Sequence, residues 1–150
     1  RHVVEDLGFD ACIDYKAGPI GPALANATPR GVDIYFDNVG GEILDAVLLA
    51  LNQNARVAVC GQISQYNSGE RQGLRNFGVL LDKCVTIRGF RIGNHLARRD
   101  EALGQLMAWH RAGLLRYRET VADGIEQAPA AFINMLSGGN VGKQVVRLVP

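Results

Sequence analysis

An excess of charge of one sign is missing from this sequence. It sets 16 lysines and arginines against 15 aspartates and glutamates, a formal net charge of +1 over 150 residues. The basic residues are scattered, so no field gathers nucleic acid or an anionic membrane surface. Long apolar runs are missing as well. No stretch approaches the roughly 18 residues that a membrane-spanning helix requires, so no span is predicted. The opening RHVVEDLGFD has neither an initiator methionine nor the apolar core of a signal peptide. It reads as a helix entered part-way, and the expectation is a record whose beginning lies upstream. Cysteine is sparse: Cys12, Cys60 and Cys84 form an odd, widely spaced set. Zinc sites use short paired spacings and secreted scaffolds an even count. Three free thiols in a reducing cytoplasm, with no metal, are therefore expected.

What is present is an ordinary globular balance, 47% hydrophobic and 21% charged, in a chain long enough for a sizeable core. Strand and helix patterns alternate. Residues 11–15 (ACIDY), 32–39 (VDIYFDNV), 56–61 (RVAVCG) and 84–92 (CVTIRGFRI) read as strands. Residues 20–27 read as a short helix. A longer helix over 42–51 follows from Ile43, Leu44, Val47, Leu48 and Leu51 at helical spacing. A helix over 97–112 carries Leu103, Leu106, Met107 and His110 on one face and stops at Gly113. The tail reads as a strand near 117–121, a helix near 126–137 and a strand at 144–149. Such alternation implies βαβ units and a mostly parallel sheet. Ligands of these sheets bind at the carboxyl ends of the strands. Tyr15, Asp37–Gly41, Cys60–Tyr66 and Phe90–Asn94 each follow a predicted strand, so they should gather on one edge.

Two of these segments bear chemistry. In YFDNVGGE (35–42) a strand runs through Asn38 into Gly40 and Gly41 before a helix. The glycines permit positive φ or close backbone approach, and the Asn38 amide can both donate and accept. The segment suits a ribose or a carboxamide, and equally an ordinary strand–helix turn. In CGQISQYN (60–67) Gly61 allows a sharp exit, and Ser64 and Tyr66 bring hydroxyls to the sheet edge. Tyr66 is either a hydrogen-bonding group for a ligand or a half-buried loop tyrosine. Asp37 is expected to orient its turn or pack against a neighbour, His110 to pack beside Trp109, and His95 to be solvated.

The run YFDNVGGEILDAVLLALNQNARVAVCGQISQYN resembles the signature region of the medium-chain dehydrogenases/reductases that work without zinc. It is most similar to the leukotriene B4 12-hydroxydehydrogenase, prostaglandin reductase and curcumin-reductase group. LGFDACIDYK before it, and YRETVADGIEQAPAAF and GGNVGKQVV after it, extend the likeness over nearly the whole chain. The resemblance implies an α/β fold: a partial Rossmann domain, a doubly wound parallel sheet lacking its first two strands. Residues 1–114 would form that partial NADP-binding domain, and 115–150 would return to a GroES-like catalytic domain. With two central strands missing, a rearranged sheet or exchange of elements between chains is expected.

The same resemblance assigns roles. Tyr15 and Lys16 match the step that meets the 2′-phosphate of NADP(H). Asn38 matches a cofactor-holding asparagine. Cys60, Gly61, Ile63, Ser64 and Tyr66 match the loop along the nicotinamide half. Phe90, Arg91 and Ile92 match the segment beside the carboxamide, with Arg91 departing from the commoner apolar residue. Asn140 matches an asparagine that reaches the cofactor from the tail. The implied activity is NADPH-dependent reduction of the C=C bond of α,β-unsaturated ketones or aldehydes, with Tyr66 as the catalytic hydroxyl. Family members imply a homodimer acting on a small enone or enal, with no nucleic acid and no membrane. Residues 1–150 alone are expected to be inactive and to bind NADPH weakly or not at all. The rival readings are a quinone reductase or another medium-chain dehydrogenase, and a non-catalytic nucleotide-binding or interaction module.

Overall fold

The computed structural model describes residues 1–67, 69 and 73–148. They fall into two compact units, Arg1–Ala97 and Arg98–Pro150. The boundary read from the sequence, after residue 114, lies on the other side of a helix from this division.

The first unit opens with α1 (His2–Glu5) and α2 (Ile20–Ala27). A βαβ unit follows: β1 (Val32–Asp37), α3 (Gly41–Ala50) and β2 (Leu51–Val59). A short helix, α4 (Val79–Asp82), leads to β3 (Thr86–Gly89). The three strands are parallel, in the order β1-β2-β3. Leu44, Val47 and Leu48 recur at helical spacing on α3 and are buried together with Leu51, Ala55 and Val57 of β2. Burying each such side chain stabilises by roughly 1.5–3 kcal/mol, so α3 is fixed over one face of the sheet. Lys83 holds the junction between α3 and β2, its Nζ donating to the carbonyls of Leu49 at 3.1 Å and Leu51 at 2.5 Å.

Three expectations change here. Residues 11–15 form no strand; a strand persists only where a neighbour pairs with its backbone, and none does so among the described residues. Leu51 begins β2 instead of ending α3, because it pairs with Val32. The register then jumps to Ile34 opposite Arg56, and Asn54 at φ 61° absorbs the extra residues. β3 is shorter than the predicted 84–92, since its pairing covers Thr86–Gly89 only.

A 3₁₀ segment over Ile92–Arg98 closes the first unit and leads into α5 (Arg99–Arg111) of the second, and Gly113 at φ 68° turns the chain away from that helix. Leu103, Leu106 and Met107 share a face of α5 but stay 42–48% exposed. His110, expected to pack, is exposed too, with its ring 5.9 Å from that of Tyr117. A second βαβ unit ends the chain: β4 (Glu119–Asp123), α6 (Ala128–Leu136) and β5 (Lys143–Arg147), with β4 and β5 parallel. Val149, read as part of the last strand, lies outside the described residues.

Candidate functional site

β1 ends in a buried aspartate that organises everything after it. Asp37 Oδ1 accepts from the Tyr35 hydroxyl and from the backbone N–H groups of Val39 and Gly40, each at 3.0 Å. Its Oδ2 is buried with no partner among the described residues. The two N–H bonds curl the chain at Gly40, whose φ of 68° and ψ of −157° suit glycine, and α3 starts at the next residue. Asp37 thus orients its turn, as its position suggested. Burial first, and then the Asp37 carboxylate, pushes the Tyr35 phenol well above its ordinary value.

The β2 exit is stitched to the same turn. The Asp37 carbonyl accepts from Cys60 N at 2.7 Å and Gly61 N at 3.1 Å. The carbonyls of Asn38 and Val39 accept from Ile63 N and Ser64 N, both at 3.2 Å. Ser64 Oγ adds a bond to the Val39 carbonyl at 2.6 Å. Gly61 is required by space: a Cβ there would lie 2.9 Å from the Asn38 carbonyl oxygen and 3.2 Å from the Tyr66 hydroxyl. That hydroxyl accepts from Gln62 N at 3.2 Å while the residue stays 68% exposed. Its oxygen is therefore anchored, and its own proton meets no acceptor among the described residues.

The β3 exit closes the third side. Phe90 N donates to the Val59 carbonyl at 2.8 Å, and the Phe90 ring meets Phe36 edge-on at 6.2 Å and stacks on His95 at 5.1 Å. Between these turns lies an open groove of about 430 Å³, lined by Val59, Cys60, Gly61, Gln62, Tyr66, Gly89, Phe90, Arg91 and Asn94. This volume lies within the range of small-molecule sites.

Of the residues singled out from the sequence, Cys60, Gly61, Tyr66, Phe90 and Arg91 line the groove. Asn38 and Ser64 are bonded into its frame. Ile63 and Ile92 are adjacent in sequence to lining residues but exposed. Tyr15 and Lys16 are not among the lining residues; they occupy an exposed turn in which Lys16 N bonds to Asp14 Oδ1 and Lys16 Nζ sits 5.9 Å from the Tyr15 ring centre. Asn140 belongs to the second unit, where its Nδ2 donates to the Gly142 carbonyl at 2.8 Å. Sequence reasoning passed over Tyr35 and Gln62. Tyr35 could have been found from strand alternation, which puts it on the same face as Asp37; the Gln62 bond depends on a loop fold that no pattern announces.

Comparison with known proteins gives a consistent result. A family model described as zinc-binding dehydrogenase matches residues 7–146. The NADPH-dependent curcumin reductase of Escherichia coli (strain K12) is 41% identical over 99% of this chain and 45% of its own length. The 2-alkenal reductase (NADP(+)-dependent) of Nicotiana tabacum is 41% identical over 93% of this chain and 41% of its own. The crystal structure of CurA from Vibrio vulnificus in complex with NADPH superposes with a TM-score of 0.90 at 40% identity, covering 99% of this chain and 46% of that one. The chain thus spans less than half the length of the relatives it matches. Among the described residues, no group of three or more His, Cys, Asp or Glu is placed to hold a metal ion. The three cysteines are free and exposed.

Proposed function

Because the chain belongs to the zinc-binding dehydrogenase family, among the medium-chain dehydrogenases/reductases, we propose that it is the nucleotide-side portion of an NADPH-dependent reductase of conjugated C=C bonds. The observation that carries this reading is the convergence of three strand-end turns on one groove whose edge is a tyrosine hydroxyl with a proton unengaged among the described residues. The relatives named for NADPH and for alkenals support it.

The groove fits a nicotinamide half-site. It offers the Gln62 and Asn94 amides, the Tyr66 hydroxyl and an aromatic wall at Phe90, and among the described residues no carboxylate to repel a phosphate. The carbonyls of Asn38 and Val39 are already occupied by Ile63 and Ser64, so the Asn38 side chain is what remains for a ribose or carboxamide. Tyr15 and Lys16, exposed on their own turn, are the proposed contacts to the 2′-phosphate; one charge-assisted bond there contributes roughly 1.5–3 kcal/mol. Three unpaired thiols suit a reducing cytoplasm.

When bound, reduced NADP supplies the hydride that adds to the β-carbon of an enone or enal. The chain's own contribution is to hold the acceptor's carbonyl. As negative charge builds on that oxygen, the Tyr66 O–H donates to it, while the Gln62 N–H holds the phenol in place; a proton taken up from solvent at the α-carbon completes the reduction. A bond that strengthens as charge develops lowers the barrier more than it tightens the ground state.

The test is NADPH oxidation with a panel of simple enones and enals, using protein expressed from its complete coding sequence. Reduction of the C=C bond, followed by product analysis, is expected. Tyr66→Phe should lower kcat by about 10²-fold while raising the NADPH dissociation constant far less. A quinone-only activity, or unchanged kcat in the variant, overturns the assignment.

A further inference from the structure

Resting on that reading, we infer that the groove selects acceptors bearing an anionic group and that Arg91 is the residue that selects them. Among the described residues, Arg91 is the one charged residue lining the groove. It has no ion pair and no side-chain hydrogen bond among the described residues, whereas Arg1, Arg98 and Arg147 each face a carboxylate. Its backbone, by contrast, is held. Phe90 just before it is bonded to β2 and wedged against Phe36, and Asn94 N donates back to the Arg91 carbonyl at 3.0 Å. A fixed backbone carrying an uncompensated guanidinium is a planar fork without a partner. Its field acts in a groove to which the described residues bring no competing carboxylate.

Two anions could meet this fork, a carboxylate on the acceptor or a phosphate of the dinucleotide. Arg91 lines the groove shared with the Tyr66 hydroxyl, where the acceptor's carbonyl is held, whereas Tyr15 and Lys16 are not among its lining residues. The acceptor is therefore the assigned source.

The experiment compares an enone carrying a carboxylate on a short alkyl chain with its methyl ester, using protein from the complete coding sequence. The readout is the acid-to-ester ratio of kcat/KM, alongside KM for NADPH. In the wild type the acid should be favoured roughly tenfold or more, with the ratio falling as ionic strength rises. Arg91→Leu should bring the ratio close to one, and Arg91→Lys should keep part of it. A wild-type ratio of one, or a ratio unmoved by Arg91→Leu, overturns the inference while leaving the reductase reading intact. A raised KM for NADPH with both acceptors equally affected reassigns the fork to the nucleotide and also overturns it. Reduction of neither acceptor overturns the reductase reading, and this inference falls with it.

Discussion

At Asp37 one carboxylate oxygen accepts three hydrogen bonds, and the same residue's carbonyl accepts two more. The side chain shapes the β1–α3 turn, and the main chain holds the β2 exit against it. Asp37→Ala would leave two backbone donors without an acceptor, at a site where the aspartate itself is 0% exposed. Each such loss costs about 1–3 kcal/mol, so a clear drop in the urea midpoint is expected, together with weaker NADPH binding. Tyr35→Phe removes only one donor, for about 1 kcal/mol, and its effect should depend on pH. The folded state raises the Tyr35 phenol above its ordinary 10.0, so the folded chain keeps a proton that the unfolded chain gives up. The tyrosine's contribution is then complete below pH 10 and erodes as pH rises toward the higher folded-state value. Unfolding midpoints of wild type and Tyr35→Phe should accordingly converge at alkaline pH. A constant gap across that range would remove Tyr35 from the network.

Elements are where the sequence was most legible. The core of the helix over 42–51 forms because its periodic leucines and Val47 have a sheet face to cover, and the helix over 20–27 packs on that helix in turn, with Leu24 against the core. The strand read at 11–15 shows the limit. Its composition is strand-like, but pairing is a property of two segments, and composition reports one. The start of β2 was missed for the same reason: Leu51 satisfies helical spacing, and only its pairing with Val32 reveals it as a strand residue. At the site, the turn glycines and the Tyr66 loop were readable as strand-end features. The Gln62–Tyr66 bond, and the lack of a partner for Arg91 among the described residues, arise from tertiary placement. The element with most at stake is α3, because Leu48 on it is 0% exposed at the centre of the core cluster. Leu48→Ala should cost about 2–5 kcal/mol, read from urea denaturation. A change under 1 kcal/mol would mean that α3 does not cover the sheet as described.

The whole molecule leaves one side of its main sheet unspent. β1 pairs only with β2, so its outer edge carries unpaired backbone groups among the described residues. On the face away from α3, Ile34 is 64% and Phe36 54% exposed. A free parallel edge beside exposed large apolar side chains is a template for association. This pairing of features makes a statement about a polypeptide of residues 1–150 produced alone. At tens of micromolar it should scatter light at a mass above its 16.2 kDa and bind a hydrophobic dye. Ile34→Lys, which sets a charge on the exposed face beside that edge, should shift the population toward monomer without altering the circular dichroism of its helices. Edge pairing and face burial differ in their response: face burial is sensitive to Phe36→Ser, whereas edge pairing persists until the backbone itself is blocked by a proline in β1. A monodisperse 16.2 kDa species with no dye binding would mean that Ile34 and Phe36 are covered within the monomer, contrary to the exposure they show.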